Sequence, residues 1–179
     1  MPDDARGQMV VVAYLDKRRD KGYVRDFRPF GEGFTLVPAE GGGRGPGRFI
    51  DFKSCKAIYF VRSLEGNKDF RENKLQLPSV TRQGRKLEVV FHDGERIIGI
   101  TEGFLPGRPG FTFFPPDPGS NNLEIFVVTA NVEMVRILGS GKDGTDVLYR
   151  PDRDRGVFVP EKRLEAVQRV LKGEPLEKV

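Results

Sequence analysis

The densest run of side chains able to do chemistry is DKRRDKGYVRDFRPF, residues 16–30. Lys17, Arg18, Arg19, Lys21, Arg25 and Arg28 interleave there with Tyr23, Phe27 and Phe30. Cations neutralise phosphates and aromatic rings stack on bases, so this is the composition of a nucleic-acid face. Asp16, Asp20 and Asp26 offset part of that charge. On a regular strand Tyr23, Arg25 and Phe27 would share one face, with Val24, Asp26 and Arg28 on the other. A further basic pair, Arg44 and Arg48, stands in GGGRGPGR at 41–48. Guanidinium forks bind phosphate and stack on guanine. The candidate ligand-binding set is therefore Lys17, Arg18, Arg19, Lys21, Arg25, Arg28, Arg44 and Arg48.

Catalytic groupings are scarce. His92 is the single histidine and Cys55 the single cysteine, and they fall in different parts of the chain. Cys55 reads as a small buried apolar residue rather than a nucleophile. No His/Cys cluster has zinc spacing. In LGSGKDGT at 138–145 the first glycine lies at the wrong distance from Gly141-Lys142 for a phosphate loop, and no helical pattern follows. Asp16 and Asp93 sit in turn-like contexts, where Asp serves local hydrogen bonds. The expectation is a chain with no catalytic residues, no cofactor and no metal. The Arg44–Arg48 spacing is similar to that of PilZ-type cyclic-dinucleotide receptors. Their companion segment, Asp or Asn with Ser two residues on and Gly three further, is missing: in DFKSC at 51–55 Ser54 comes one position late.

The elements that must position these residues read as β-strands. The 179 residues are 37% hydrophobic and 31% charged, and lack Trp but carry 14 Phe. One cysteine excludes an internal disulfide, no run of about 18 apolar residues exists, and MPDDARGQ has no leader pattern. A cytoplasmic protein without membrane insertion is expected. Residues 1–67 carry 12 Lys/Arg against 9 Asp/Glu, whereas 86–139 carry 4 against 7, so the two parts present different surfaces.

An internal echo organises the chain. At an offset of 77 residues Val12 falls on Val89, Asp16 on Asp93, Gly22 on Gly99, Phe27 on Phe104 and Pro29 on Pro106. Gly33-Phe34-Thr35 falls on Gly110-Phe111-Thr112, Pro38 on Pro115 and Phe49 on Phe126, with no gap between 12 and 61. Two copies of one unit are expected, at 8–67 and 86–139, joined by a polar linker at 68–85. Each has about five short strands: 9–15 and 87–92, 20–28 and 96–104, 34–37 and 111–114, 48–52 and 124–128, 56–61 and 133–138. Asp93-Gly94 is a hairpin signal, and Asp16-Lys17 a weaker one. Gly22 and Gly99 inside the second strands mark a bend or a close backbone approach. Gly and Pro bracket the aromatic third strands and keep them short. Leu75 and Leu77 admit a short extra strand in the linker. Residues 140–179 form an extension with a possible strand at 147–150. Pro160 suits a first helical turn, and Leu164, Val167, Val170 and Leu171 form an apolar stripe over a helix at about 160–172.

Strand, Asp turn, inner Gly, Phe-x-Pro corner, Gly-Phe-x-Phe/Leu, Pro and a closing apolar strand form a pattern that resembles a bacterial domain of unknown function. That domain occurs alone or attached to signalling modules. The outline is also similar to Sm-like and SH3-like small barrels. It departs from Sm proteins in having Pro29 and Pro106 where they carry Asp, and in lacking their RNA-binding Asn. The resemblance implies no catalytic residues. The expected architecture is all-β with a short C-terminal helix: two tandem five-stranded Sm/SH3-like small barrels related by a pseudo-twofold. The expected role is a non-catalytic bacterial binding or adaptor module in a regulatory or signalling pathway, with a protein partner. Contacts would use strand edges and the loops 17–21, 41–48 and 117–123. The alternative is nucleic-acid or cyclic-dinucleotide binding through the basic face of the first repeat.

Overall fold

Alternation of apolar and polar residues sets the strands. In β1 (Gln8–Ala13) Val10 and Val12 are fully buried on one face, while Met9 and Val11 are half-buried on the other. In β2 (Arg19–Arg25) Gly22 and Val24 point inward, and Arg19, Lys21 and Arg25 are exposed. The other strands are β3 (Gly33–Pro38), β4 (Arg48–Asp51), β5 (Ala57–Val61), β6 (Arg85–Phe91), β7 (Arg96–Thr101), β8 (Gly110–Phe113), β9 (Asn122–Val128), β10 (Val132–Ile137), β11 (Val147–Tyr149) and β12 (Val159–Pro160). Single 3₁₀ turns at Phe52–Ser54 and Thr129–Asn131 lead into β5 and β10. The structure is a computed structural model, and it describes residues 7–66, 68–71, 84–139, 146–151 and 159–160.

Among the described residues all pairings are antiparallel and form two sheets. One has seven strands in the order β4-β3-β2-β1-β5-β9-β8, and the other five in the order β12-β11-β10-β6-β7. The Ile100–Phe114 bridge ties β7 to the end of β8. Register recurs along the chain. Val10 faces Gly22 and Phe60, and 77 residues later Leu87 faces Gly99 and Ile137. Gly33 faces Asp51 as Gly110 faces Val128. The first turns match as well: Lys17 N donates to Tyr14 O, and Gly94 N to Phe91 O. Lys17 takes the left-handed φ of 68° at the position where the later turn uses Gly94 at 82°.

The sheets do not close into two barrels as expected. Strand β5 pairs with β1 on one edge and with β9, from the later run of strands, on the other. With β9 engaged there, the second run splits: β8 and β9 join the large sheet, and β6, β7 and β10 stay in the small one. Of the expected C-terminal helix only Pro160 is among the described residues. Pro160 lies in β12 opposite Val147, and residues 161–172 lie outside the described residues. The suggested strand at Leu75 and Leu77 also lies outside them.

Two apolar cores follow from the two faces of the large sheet. Val10, Phe34, Leu36, Ile50, Ile58, Phe60 and Phe126 belong to one cluster. Ile50 on β4 and Phe126 on β9 come from strands far apart in the sheet, so the sheet curls around this cluster. The second core lies between the sheets. There Tyr59, Val61, Phe111, Phe113, Ile125 and Val127 meet Leu87, Val89, Phe91, Val135 and Ile137. Strand β5 serves both cores, which is why every residue from Ala57 to Val61 is buried.

Candidate functional site

The exposed face of β2 carries Arg19, Lys21, Tyr23 and Arg25 at a spacing of two. Phe27 does not continue that row. Asp26 adopts φ 55°, which breaks the alternation, and Phe27 turns inward to pack edge-on against Phe60 and Phe126, 5.1 and 5.2 Å between ring centres.

Most of the basic set is engaged within the chain. Arg18 Nε donates to Asp16 Oδ2 at 2.6 Å, and its guanidinium lies 4.8 Å from the Tyr14 ring centre. Arg19 is 3.8 Å from Glu95 and 5.8 Å from the Tyr59 ring centre. Lys21 donates to Leu64 O at 2.6 Å and Arg25 to Gly43 O at 3.2 Å. Arg48 pairs with Asp20, which also accepts from the Tyr14 hydroxyl at 2.7 Å. Burial and that hydrogen bond raise the Tyr14 phenol well above its ordinary value. The ion pair draws Arg48 to Asp20 on β2. Of the loops expected to be contact surfaces, 41–48 folds back so that Gly43 lies against the Tyr23 ring. Loop 117–123 is held by Arg62, which donates to Ser120 O, and by Asn121, which donates to Ser63 O.

Two concave sites stand out. The first is a polar cleft of about 400 Å³ between the β1–β2 and β6–β7 turns, walled by Lys17, Arg18 and Arg19 on one side and Asp93 and Glu95 on the other. At its base Lys56, only 2% exposed, forms ion pairs with both Asp93 and Glu95 and lies 5.1 Å from the Phe91 ring centre. Nothing local in SCKAIYF foretells that burial; the partners come from a hairpin 37 residues further on. Partial burial opposes charge on Asp93, but hydrogen bonds from Lys56 and the Glu95 amide hold its carboxyl below the ordinary value. Beside the cleft, Cys55 is fully buried. Burial first, and then the Asp51 charge, push its thiol up to about 12, so it holds no thiolate near neutral pH. His92 is exposed, and its amide donates to Asn131 O. Among the described residues no group of three His, Cys, Asp or Glu could hold a metal, and no helix is long and apolar enough to cross a membrane.

The second site is an apolar groove of about 480 Å³. The corner after β2 lends Pro29 and Phe30 to its lining, and the corner after β7 lends Leu105 and Arg108. Phe126, Thr112 and Glu124 contribute from β8 and β9. Phe30 is 71% exposed and Leu105 58%, while the neighbouring corner residues Phe27 and Phe104 pack into the two cores. The Arg108 guanidinium lies 5.0 Å from the Phe30 ring centre. The basic candidates do not reach this groove. Its signal in the sequence is the pair of Phe-x-Pro corners, each with a large apolar residue beside the proline.

Fold and site together define an all-antiparallel β domain of two linked sheets that carries an open apolar groove lined by the corners after β2 and β7. Residues 6–139, well over half of the chain, match the family of unknown function DUF6982, and the chain belongs to that family. No curated protein and no solved structure matches it.

Proposed function

We propose that this chain is a non-catalytic binding or adaptor module of a bacterial regulatory pathway, and that a protein partner docks in the groove between the two corners. The observation that carries this reading is the pair Phe30 and Leu105. Two large apolar side chains line one concavity and stand exposed, whereas lone exposed apolar residues need no explanation. A duplicated run of strands fits the reading, since doubling supplies two corners of like pattern. What supports duplication is the register that recurs at the 77-residue offset.

The test is affinity capture from cells of the source organism, followed by direct binding of the recovered protein to purified wild type and to Phe30→Ser and Leu105→Ser. Each substitution is expected to weaken binding about tenfold, the scale of an interface anchor. A partner that binds all three proteins equally overturns the reading, as does substrate turnover by the purified chain.

Nucleic-acid or cyclic-dinucleotide binding is the second reading. It rests on the row Arg19, Lys21, Tyr23 and Arg25 on one exposed strand face. It requires an affinity for a single-stranded oligonucleotide or a cyclic dinucleotide that falls with salt and drops when Arg18, Arg19 and Arg25 become Ala. Binding that is indifferent to salt removes it.

A further inference from the structure

The apolar groove does not end at Arg108. A cavity of about 500 Å³ shares that residue as a wall and runs on past Gly31 and Pro109 to Thr129 and Tyr149. The two concavities adjoin at Arg108, which lines both, and together they make the candidate track. Carboxylates outnumber cations along it: Glu102 and Glu124 line the first part and Glu32 and Asp51 the second, against Arg108 and Lys53. The Asp51 carboxylate is also the cap of the 3₁₀ turn, where it accepts from Lys53 N at 2.8 Å. Arg108 rests against the Phe30 ring.

We infer that the occupant is an extended segment of another protein, with an apolar side chain for each concavity and Lys or Arg beside them. This rests on the docking role proposed above and adds the chemistry of the partner. Exposed apolar walls gain from burying apolar side chains. A segment laid along a rim richer in carboxylates meets repulsion if it is acidic and complementary potential if it is basic. The groove and the adjoining cavity share Arg108, so a segment that fills both runs from one to the other in extended form.

The test is selection of a random peptide display library on the full-length chain. Synthetic copies of the selected sequences are then measured by fluorescence polarisation. The expected sequences pair apolar residues with Lys or Arg. Their affinity is expected to fall about tenfold in Phe30→Ser or Leu105→Ser, and severalfold with added salt or in the Glu102→Gln/Glu124→Gln double variant. Both apolar positions are exposed, so a denaturation curve like that of wild type is expected to accompany the loss. No enrichment, enrichment of acidic sequences, or binding that ignores all of these substitutions overturns the inference. Two other occupants would also overturn it. Concentration-dependent self-association abolished by Leu105→Ser assigns the track to a second copy. Tighter peptide binding by a full chain carrying Leu164→Ser and Val167→Ser assigns it to the chain's own tail. A native partner that needs Phe30 and Leu105 but presents an acidic segment refutes this inference and leaves the docking role standing.

Discussion

Lys56 shows how much a single side chain can link distant parts of this chain. Its ammonium is out of water and its compensation comes from Asp93 and Glu95, on the hairpin between β6 and β7. Truncating it strands a mostly buried carboxylate, the strongly destabilising way of breaking a buried pair. Lys56→Ala is expected to lose about 3 kcal/mol of unfolding free energy in urea titrations. The pair also sets a pH dependence. The folded chain holds Asp93 below its ordinary value of 3.8, so acid protonates this group in the unfolded chain first. Its contribution is full above pH 3.8 and drains as pH falls through the depressed value. Lys56→Met, which removes the charge and keeps the bulk, is expected to flatten that acid limb. An unchanged acid limb would show that Lys56 does not set the Asp93 shift.

At the scale of strands, the glycines of β2 and β7 are steric requirements. A Cβ on Gly22 would sit 2.2 Å from the Val37 carbonyl oxygen, and one on Gly99 would sit 2.3 Å from that of Phe114. Both obstacles are backbone and cannot swing aside. Gly22→Ala and Gly99→Ala are each expected to cost about 2 kcal/mol, read from denaturant midpoints at constant slope. Gly45→Ala, with nothing within 4 Å, is the control and is expected to be near neutral. These close approaches were legible in the sequence, because a glycine inside an alternating strand has few other reasons to be there. Strand limits and turns were legible for similar reasons: Gly and Pro act locally. The left-handed Asp26 was not. Asp carries no mark of its φ, so regular alternation puts Tyr23, Arg25 and Phe27 on one face; the match of Phe27 to Phe104 was the signal that pointed to the core, against which Phe27 packs. The third strands show the same limit. Phe34 and Phe111 hold equivalent places in register, yet one enters the core inside the curled sheet and the other the core between the sheets.

At the scale of the molecule, the β5–β9 pairing decides the architecture and was beyond local reading. An apolar run such as AIYFV says that both faces are covered, but not which strand lies on the far edge. The apolar groove was missed for the same reason: each corner is visible in the sequence, but that both line one groove is a tertiary fact. Because β5 belongs to both cores and both runs of strands, the two halves should not melt separately. Urea unfolding followed by far-UV circular dichroism and by tyrosine fluorescence is expected to give one coincident transition. Two resolved transitions would mean that the β5–β9 seam contributes little to stability.

That seam also orders events during synthesis. Val61 waits for Asn122, 61 positions later, before its outer edge is covered. A ribosome that has finished the first five strands therefore displays an uncapped, wholly apolar ribbon end until β9 emerges. Stalling in that interval is where a nascent chain would most need a chaperone.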